Sequence, residues 1–146
     1  MKKILVVDDE QDICEILKFN IENEGFLVET ANSAEEALPK IDKDVVLILL
    51  DVMMQGLSGY QFAKKLRDNG NTIPIIFLTA KNTENDMLTG FSIGADDYIA
   101  KPFSVKEVIA RLNAILRRTQ SLTQDQKDES LQSNELTLNF NDKTVL

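Results

Sequence analysis

Apolar residues in this chain fall into short unbroken runs, separated by stretches in which they recur every three or four positions. The runs are Lys3-Ile4-Leu5-Val6-Val7, Val45-Val46-Leu47-Ile48-Leu49-Leu50, Pro74-Ile75-Ile76-Phe77-Leu78 and Asp97-Tyr98-Ile99-Ala100. Runs this short and this rich in β-branched residues fit strands buried on both faces, the habit of a parallel sheet. Phe26 to Thr30 makes a further short strand. Between them, Ile13, Ile16, Leu17 and Ile21 predict a helix packed on the sheet and closed at Gly25. Ser33-Ala34-Glu35-Glu36 is a capping-box signature opening a helix toward Ile41. Pro39 falls inside it, removes one backbone hydrogen bond and collides with the preceding turn, so that helix is predicted to be distorted or to end early. Tyr60, Phe62, Ala63 and Leu66 predict a helix between Ser58 and Asn69, ended by Gly70. A weaker fourth helix covers Asn85 to Ile93 with Met87, Leu88 and Phe91, and closes at Gly94. A fifth opens at Ser104-Val105-Lys106-Glu107 and carries Val105, Val108, Ile109, Leu112, Ile115 and Leu116 toward Arg118.

The order is a strand followed by a helix, repeated to Arg118. Such alternation calls for an α/β fold: a parallel sheet covered on both faces and joined by right-handed crossovers. From Thr119 to Gln132 the polar composition is that of a linker. Glu135 to Phe140 then alternates polar and apolar, Asn141-Asp142 is a turn, and Thr144-Val145-Leu146 starts another strand. A hairpin of that size cannot bury a face alone, so the chain reads as residues 1–118 in one domain, 119–132 as linker and 133–146 as the start of a second.

A chain of 146 residues with 43% apolar content supports a core of that size. No apolar run approaches a bilayer span, and Met1-Lys2-Lys3 is followed too soon by acids for a signal peptide, which predicts a cytoplasmic protein with no membrane contact. A net charge of -8 argues against nucleic-acid binding by these residues. One cysteine and no histidine exclude a disulfide framework, a zinc cluster and any histidine-activated nucleophile. A phosphohistidine, if one is used, must come from another protein. Cys14 reads as a small residue at a helix–sheet seam.

The strand-like runs end in chemically active residues: Asp8-Asp9, Asp51, Thr79 and Lys101. Ligands of open parallel sheets bind at the carboxyl ends of the strands, so three carboxylates, a hydroxyl and an ammonium are expected on one edge. An aspartate can attack phosphorus to give an acyl phosphate, a reaction that needs positioning and charge neutralisation. Packed carboxylates repel one another, whereas a hard dication such as magnesium accepts them as oxygen ligands. Lys101 would act as a compact point charge toward a phosphoryl oxygen, and the Thr79 hydroxyl could donate to another. Taken singly, these residues are a strand-end turn, a helix N-cap, a cap hydroxyl and a surface lysine. Their joint placement favours one shared site.

Val6-Val7-Asp8-Asp9-Glu10, Leu50-Asp51-Val52-Met53-Met54, Leu78-Thr79-Ala80 and Gly94-Ala95-Asp96-Asp97-Tyr98-Ile99-Ala100-Lys101-Pro102-Phe103 resemble the receiver domain of two-component response regulators, from Lys3 to Arg118. The resemblance implies a flavodoxin-like (βα)5 sheet in the order 2-1-3-4-5. It implies that Asp51 is a phosphoacceptor served by a sensor histidine kinase, in a protein that takes part in its own phosphorylation and dephosphorylation without being an enzyme. Asp8 and Asp9 would hold Mg2+ with Asp51 and the backbone carbonyl of Met53. Thr79 and Lys101 would grip the phosphoryl oxygens, and Tyr98 would be a switch that turns inward when Thr79 moves. The Lys101-Pro102 bond is expected to be cis.

The segment from Lys101-Pro102-Phe103-Ser104 through Glu107, Arg111, Leu116, Arg117 and Arg118 resembles the winged-helix (OmpR/PhoB-like) transcription-factor subfamily. The residues after Gln132 resemble the opening strands of its DNA-binding domain, which would bind DNA only in the full-length protein. In that subfamily phosphorylation favours a homodimer through the fourth helix, fifth strand and fifth helix, and Asp97 and Arg111 are present for one salt bridge across the two-fold axis. Met87 replaces the basic partner of Glu107, Asn85 an acid that would face Arg118, and Gln55 a proline after Met53-Met54. An aspartyl-intermediate phosphatase of the haloacid-dehalogenase type would carry a second Asp where this chain has Met53. A phosphate-independent interaction module is the alternative, disfavoured by the intact set Asp8, Asp9, Asp51, Thr79 and Lys101.

Overall fold

Five strands form one parallel sheet in the computed structural model, whose described residues are 2–54, 58–80 and 94–132, with side chains as far as 118. The strands are β1 (Lys3–Val7), β2 (Leu27–Ala31), β3 (Val45–Asp51), β4 (Ile75–Thr79) and β5 (Asp97–Ala100), in the order β2-β1-β3-β4-β5. Every neighbouring pair is parallel. Three of the four apolar runs occupy the central positions, where both faces are covered, and the fourth, Asp97 to Ala100, forms the edge strand β5. Ile4 to Val7, Leu47 to Leu50 and Ile75 to Leu78 are all buried. The edge strands are mixed, β2 keeping Glu29 and Thr30 partly exposed and β5 keeping Asp97 partly exposed. This is the flavodoxin-like order expected above. Each fully buried Leu, Ile or Phe contributes about 1.5–3 kcal/mol, and the central strands hold most of them.

Helix α1 (Gln11–Glu22) buries Cys14, Leu17 and Ile21, while Ile16 is 50% and Phe19 66% exposed. The buried stripe therefore shares Leu17 and Ile21 with the predicted one but takes Cys14 in place of Ile16. The spacing of Cys14, Leu17 and Ile21 fits the sheet equally well, and the small thiol allows close approach to it. Helix α2 spans only Ala34–Ala37 and tightens into a 3-10 turn at Leu38–Lys40. That is the early end predicted from Pro39. Beyond it the chain keeps an i-to-i−3 bond, Ile41 N–H to the Leu38 carbonyl at 3.3 Å. Helix α3 (Gly59–Asp68) opens on a reciprocal capping box between Ser58 and Gln61, and Gly70 leaves it at φ +84°.

The expected fourth helix, with Asn85 and Met87, and the loop residue Gln55 lie outside the described residues. The C-terminal helix spans Val105–Gln132 rather than ending near Arg118. Thr119 to Gln132 contains neither Gly nor Pro, and Gln is its commonest residue, so its polar composition is compatible with a continuing helix as well as with an irregular linker. The chain divides between Ile115 and Leu116 into two units. In the first, Val108, Leu112 and Ile115 of this helix are buried. In the second, the helix continues to Gln132, and residues 133–146 are outside the described set. Among the described residues no helix is long and apolar enough to cross a membrane.

Candidate functional site

Strands β1, β3 and β4 end at Val7, Asp51 and Thr79, and their register brings those ends level. Val7 lies beside Leu50, Asp51 beside Leu78, and Thr79 beside Ala100. Residues just past the strand ends therefore face one another across the edge. Asp8, Asp51 and Thr79 are buried polar residues, at 0%, 2% and 2% exposure. Lys101 enters from β5, where its N–H donates to the Thr79 carbonyl at 2.8 Å and the Lys101-Pro102 peptide is cis. Its Nζ lies 2.9 Å from Asp8 Oδ2, 3.4 Å from Asp51 Oδ1 and 3.7 Å from Glu10 Oε2. Of the predicted set, Asp8, Asp51 and Lys101 meet directly, Asp9 lies beside Asp8, and Thr79 ends the neighbouring strand β4.

Local turns orient the acids. Asp51 Oδ1 accepts the Met53 N–H at 3.2 Å, and the Val52 N–H reaches across to the Leu78 carbonyl at 3.0 Å. Asp8 Oδ1 accepts the Glu10 N–H at 2.9 Å, and the Asp8 N–H is held by the Ala31 carbonyl. Glu10 occupies the N-cap position of α1 with no side-chain cap bond, so neither Asp8 nor Asp9 is the capping residue that the simpler reading of this pair suggested. Behind Asp8, Cys14 Sγ donates to its carbonyl at 3.3 Å and Asn32 Nδ2 donates to the same oxygen at 3.0 Å.

Burial, and then the charge of Asp8, push the Asp51 carboxyl from an ordinary 3.8 up to about 6; Lys101 and the Met53 N–H pull the other way without prevailing. Burial also works against the charge on Lys101, but Asp8, Asp51 and Glu10 outweigh it and its pKa is raised. The site thus holds more negative charge than its one ammonium balances. Asp8, Asp9 and Glu10 each offer a carboxylate oxygen within 4.8 Å of the others. The sequence reading had no place for Glu10. Its membership follows from its nearness to Lys101, a contact across 91 residues that only the topology creates.

Tyr98 is inward, 8% exposed, and its hydroxyl donates to that of Tyr60 at 3.1 Å. Tyr60 is the second residue missed, and its helical spacing gave only a core role. Met53 contributes its N–H to Asp51 and exposes 53% of its surface. Arg111 Nη1 donates to both oxygens of Asp97, at 3.0 and 2.8 Å, and its Nε to Glu107 at 3.2 Å. The pair expected to span a two-fold axis is therefore closed within one chain.

This edge sets a buried carboxylate beside an ammonium and a cluster of hard oxygen donors, the groups that phosphoryl transfer and a hard divalent cation each call for. The model of the response regulator receiver domain matches residues 4–113. The response regulator SaeR of Staphylococcus epidermidis is 41% identical over 145 residues, which is 99% of this chain and 63% of that protein. The alkaline phosphatase synthesis transcriptional regulatory protein PhoP of Bacillus subtilis is 50% identical over 120 residues, 82% of this chain and 50% of its own length. The chain spans between half and two thirds of these relatives. Among solved structures, the receiver domain of the Francisella response regulator 1452 superposes with a TM-score of 0.76 at 34% identity, covering 82% of this chain and 99% of that one. DrrB, an OmpR/PhoB homologue from Thermotoga maritima, does so with a TM-score of 0.74 at 31% identity, covering 82% of this chain and 54% of that one. Fold, site and relatives agree, and the chain belongs to the response regulator receiver domain family.

Proposed function

We propose that Asp51 accepts a phosphoryl group from the phosphohistidine of a sensor kinase, and that the resulting change controls transcription. The observation that carries this reading is Lys101, whose ammonium stands between the buried carboxylates of Asp8 and Asp51. A carboxylate oxygen of Asp51 attacks phosphorus; the new O–P bond forms as the N–P bond breaks, and the imidazole leaves with the electron pair. These 146 residues contain no histidine, so the donor phosphohistidine lies outside them. Lys101 neutralises one phosphoryl oxygen, and the Thr79 hydroxyl donates to another.

Asp8, Asp9, Asp51 and the Met53 carbonyl would hold Mg2+, with Glu10 beside them. The donor set fits: all are hard oxygens, and the Asp51 carboxyl, raised by burial and then by the charge of Asp8, would be relieved by a dication. When bound, the ion supplies positive charge opposite the transferring oxygens. The switch is a population shift in which Thr79 and Tyr98 favour one arrangement once the phosphoryl group is present. Residues 119–132 connect to a winged-helix domain that begins at 133 and binds DNA in the full-length protein. Phosphorylation promotes a homodimer through the face carrying Asp97 and Arg111, and the protein works in the cytoplasm. The kinship with SaeR and PhoP supports this reading.

Incubation with Mg2+ and acetyl phosphate, followed by intact mass, tests it. One added phosphoryl group is expected on the native chain and none on Asp51→Ala. No gain in the native chain, or an equal gain in the variant, overturns the assignment.

A further inference from the structure

Tyr60 and Tyr98 both pack on Phe77. The Tyr60 ring meets it edge-on, with centroids 4.9 Å apart at 77°, and the Tyr98 ring is tilted by 38° at 5.4 Å. Phe77 is fully buried on β4, two residues before Thr79. Above this ring the hydroxyl of Tyr98 donates to that of Tyr60 at 3.1 Å. Tyr60 sits in the first turn of α3, and that turn is wedged against the acceptor. The Gly59 N–H donates to the Val52 carbonyl at 3.0 Å, and a Cβ on Gly59 would collide with the backbone carbonyl oxygen of Asp51. The backbone of Asp51 thus touches one residue of α3, and the next residue holds Tyr98.

We infer that Tyr60 is a positioning residue whose hydroxyl holds Tyr98 inward, tying the acceptor's strand end to β5 through α3. The inference rests on the reading of Tyr98 as the element that responds to phosphorylation. A tyrosine ring of this kind has two places, packed on Phe77 or turned to solvent, and one hydrogen bond of ordinary strength biases them by about three- to tenfold.

The chain has two tyrosines and no tryptophan, so ring-labelled tyrosine spectra report on this pair alone. Tyr60→Phe keeps the ring on Phe77 and removes one oxygen. In the variant, magnetic resonance of the ε-carbon-labelled full chain should show Tyr98 losing nuclear Overhauser contact with Phe77. Its outward population should rise about three- to tenfold, the shift expected for one hydrogen bond. Unchanged Tyr98 signals and undiminished contacts to Phe77 would overturn the inference. Should Tyr60→Phe lose its dispersed amide spectrum, Tyr98→Phe decides the matter. There Tyr60 is the remaining tyrosine, and its ring carbons must shift on losing their donor; no shift overturns the inference. Acetyl phosphate and mass measurement on the same samples separate the two ideas. Failure of native chain and Tyr60→Phe alike to take a phosphoryl group defeats the receiver mechanism, whereas phosphorylation of both with an unmoved Tyr98 defeats the positioning role alone.

Discussion

Replacing Asp51 by Asn should make the protein more stable in the presence of a chelator, although it removes the proposed acceptor. The native carboxyl is raised from 3.8 to about 6 by burial and by Asp8. Because the folded-state pKa is the higher one, the group's contribution to stability is fully present below about 3.8. It declines as pH rises through the interval and is lost above about 6. Holding the carboxylate ionised in the fold therefore costs about 3 kcal/mol at neutral pH, from that interval at about 1.4 kcal/mol per pH unit. Asparagine resembles the protonated acid and escapes this cost. For a unit of this size about 3 kcal/mol corresponds to a rise in Tm of about 10 °C. Thermal unfolding followed by circular dichroism at several pH values from 4 to 8, with chelator, should show the advantage of Asp51→Asn growing with pH and levelling off above about 6. Added Mg2+ should stabilise the native chain more than the variant and so narrow the gap. An advantage that is absent at pH 8, or constant from pH 4 to 8, would refute this account of the site's charge.

Two further outcomes follow from packing. Gly59→Ala places a Cβ against the Asp51 carbonyl oxygen, and the obstacle is backbone rather than a flexible side chain. Urea unfolding should show a loss of about 2–3 kcal/mol, and a loss below about 0.5 kcal/mol would show that the turn yields freely. Cys14 is buried, and burial followed by the charge of Asp8 pushes its thiol up to about 11. Iodoacetamide at pH 8 should therefore label the native chain at a small fraction of the rate seen in urea; equal rates would contradict the buried seam.

Much of the edge was legible because unbroken apolar runs identify central parallel strands, and the residue after each run must then lie at a ligand-binding edge. Asp8, Asp51 and Thr79 came from that rule, Lys101 from the shorter run that forms the edge strand β5, and Pro39 stopped its helix for a purely local reason. What stayed hidden depends on the third dimension. Apolar identity placed Ile16 on the buried side of α1, yet the side that approaches the sheet is set by Cys14, Leu17 and Ile21. Glu10 and Tyr60 join the site through partners far along the chain. The length of the C-terminal helix was missed because polarity was read as irregularity, although a segment without Gly or Pro loses little by remaining helical.

The closed Asp97–Arg111 pair bears on how two copies of the chain could meet. Each chain already satisfies Arg111 with both oxygens of Asp97, and Glu107 takes its Nε. If these residues swapped partners across a symmetry axis, the two molecules would hold as many ion pairs after meeting as before. Such an exchange is close to neutral, so any attraction between copies would have to come from other contacts. A surface lacking an acid in register would instead open the pair and leave its guanidinium unmatched. Asp97 and Arg111 would then act as a fidelity check on mating surfaces, discriminating among partners rather than drawing them together.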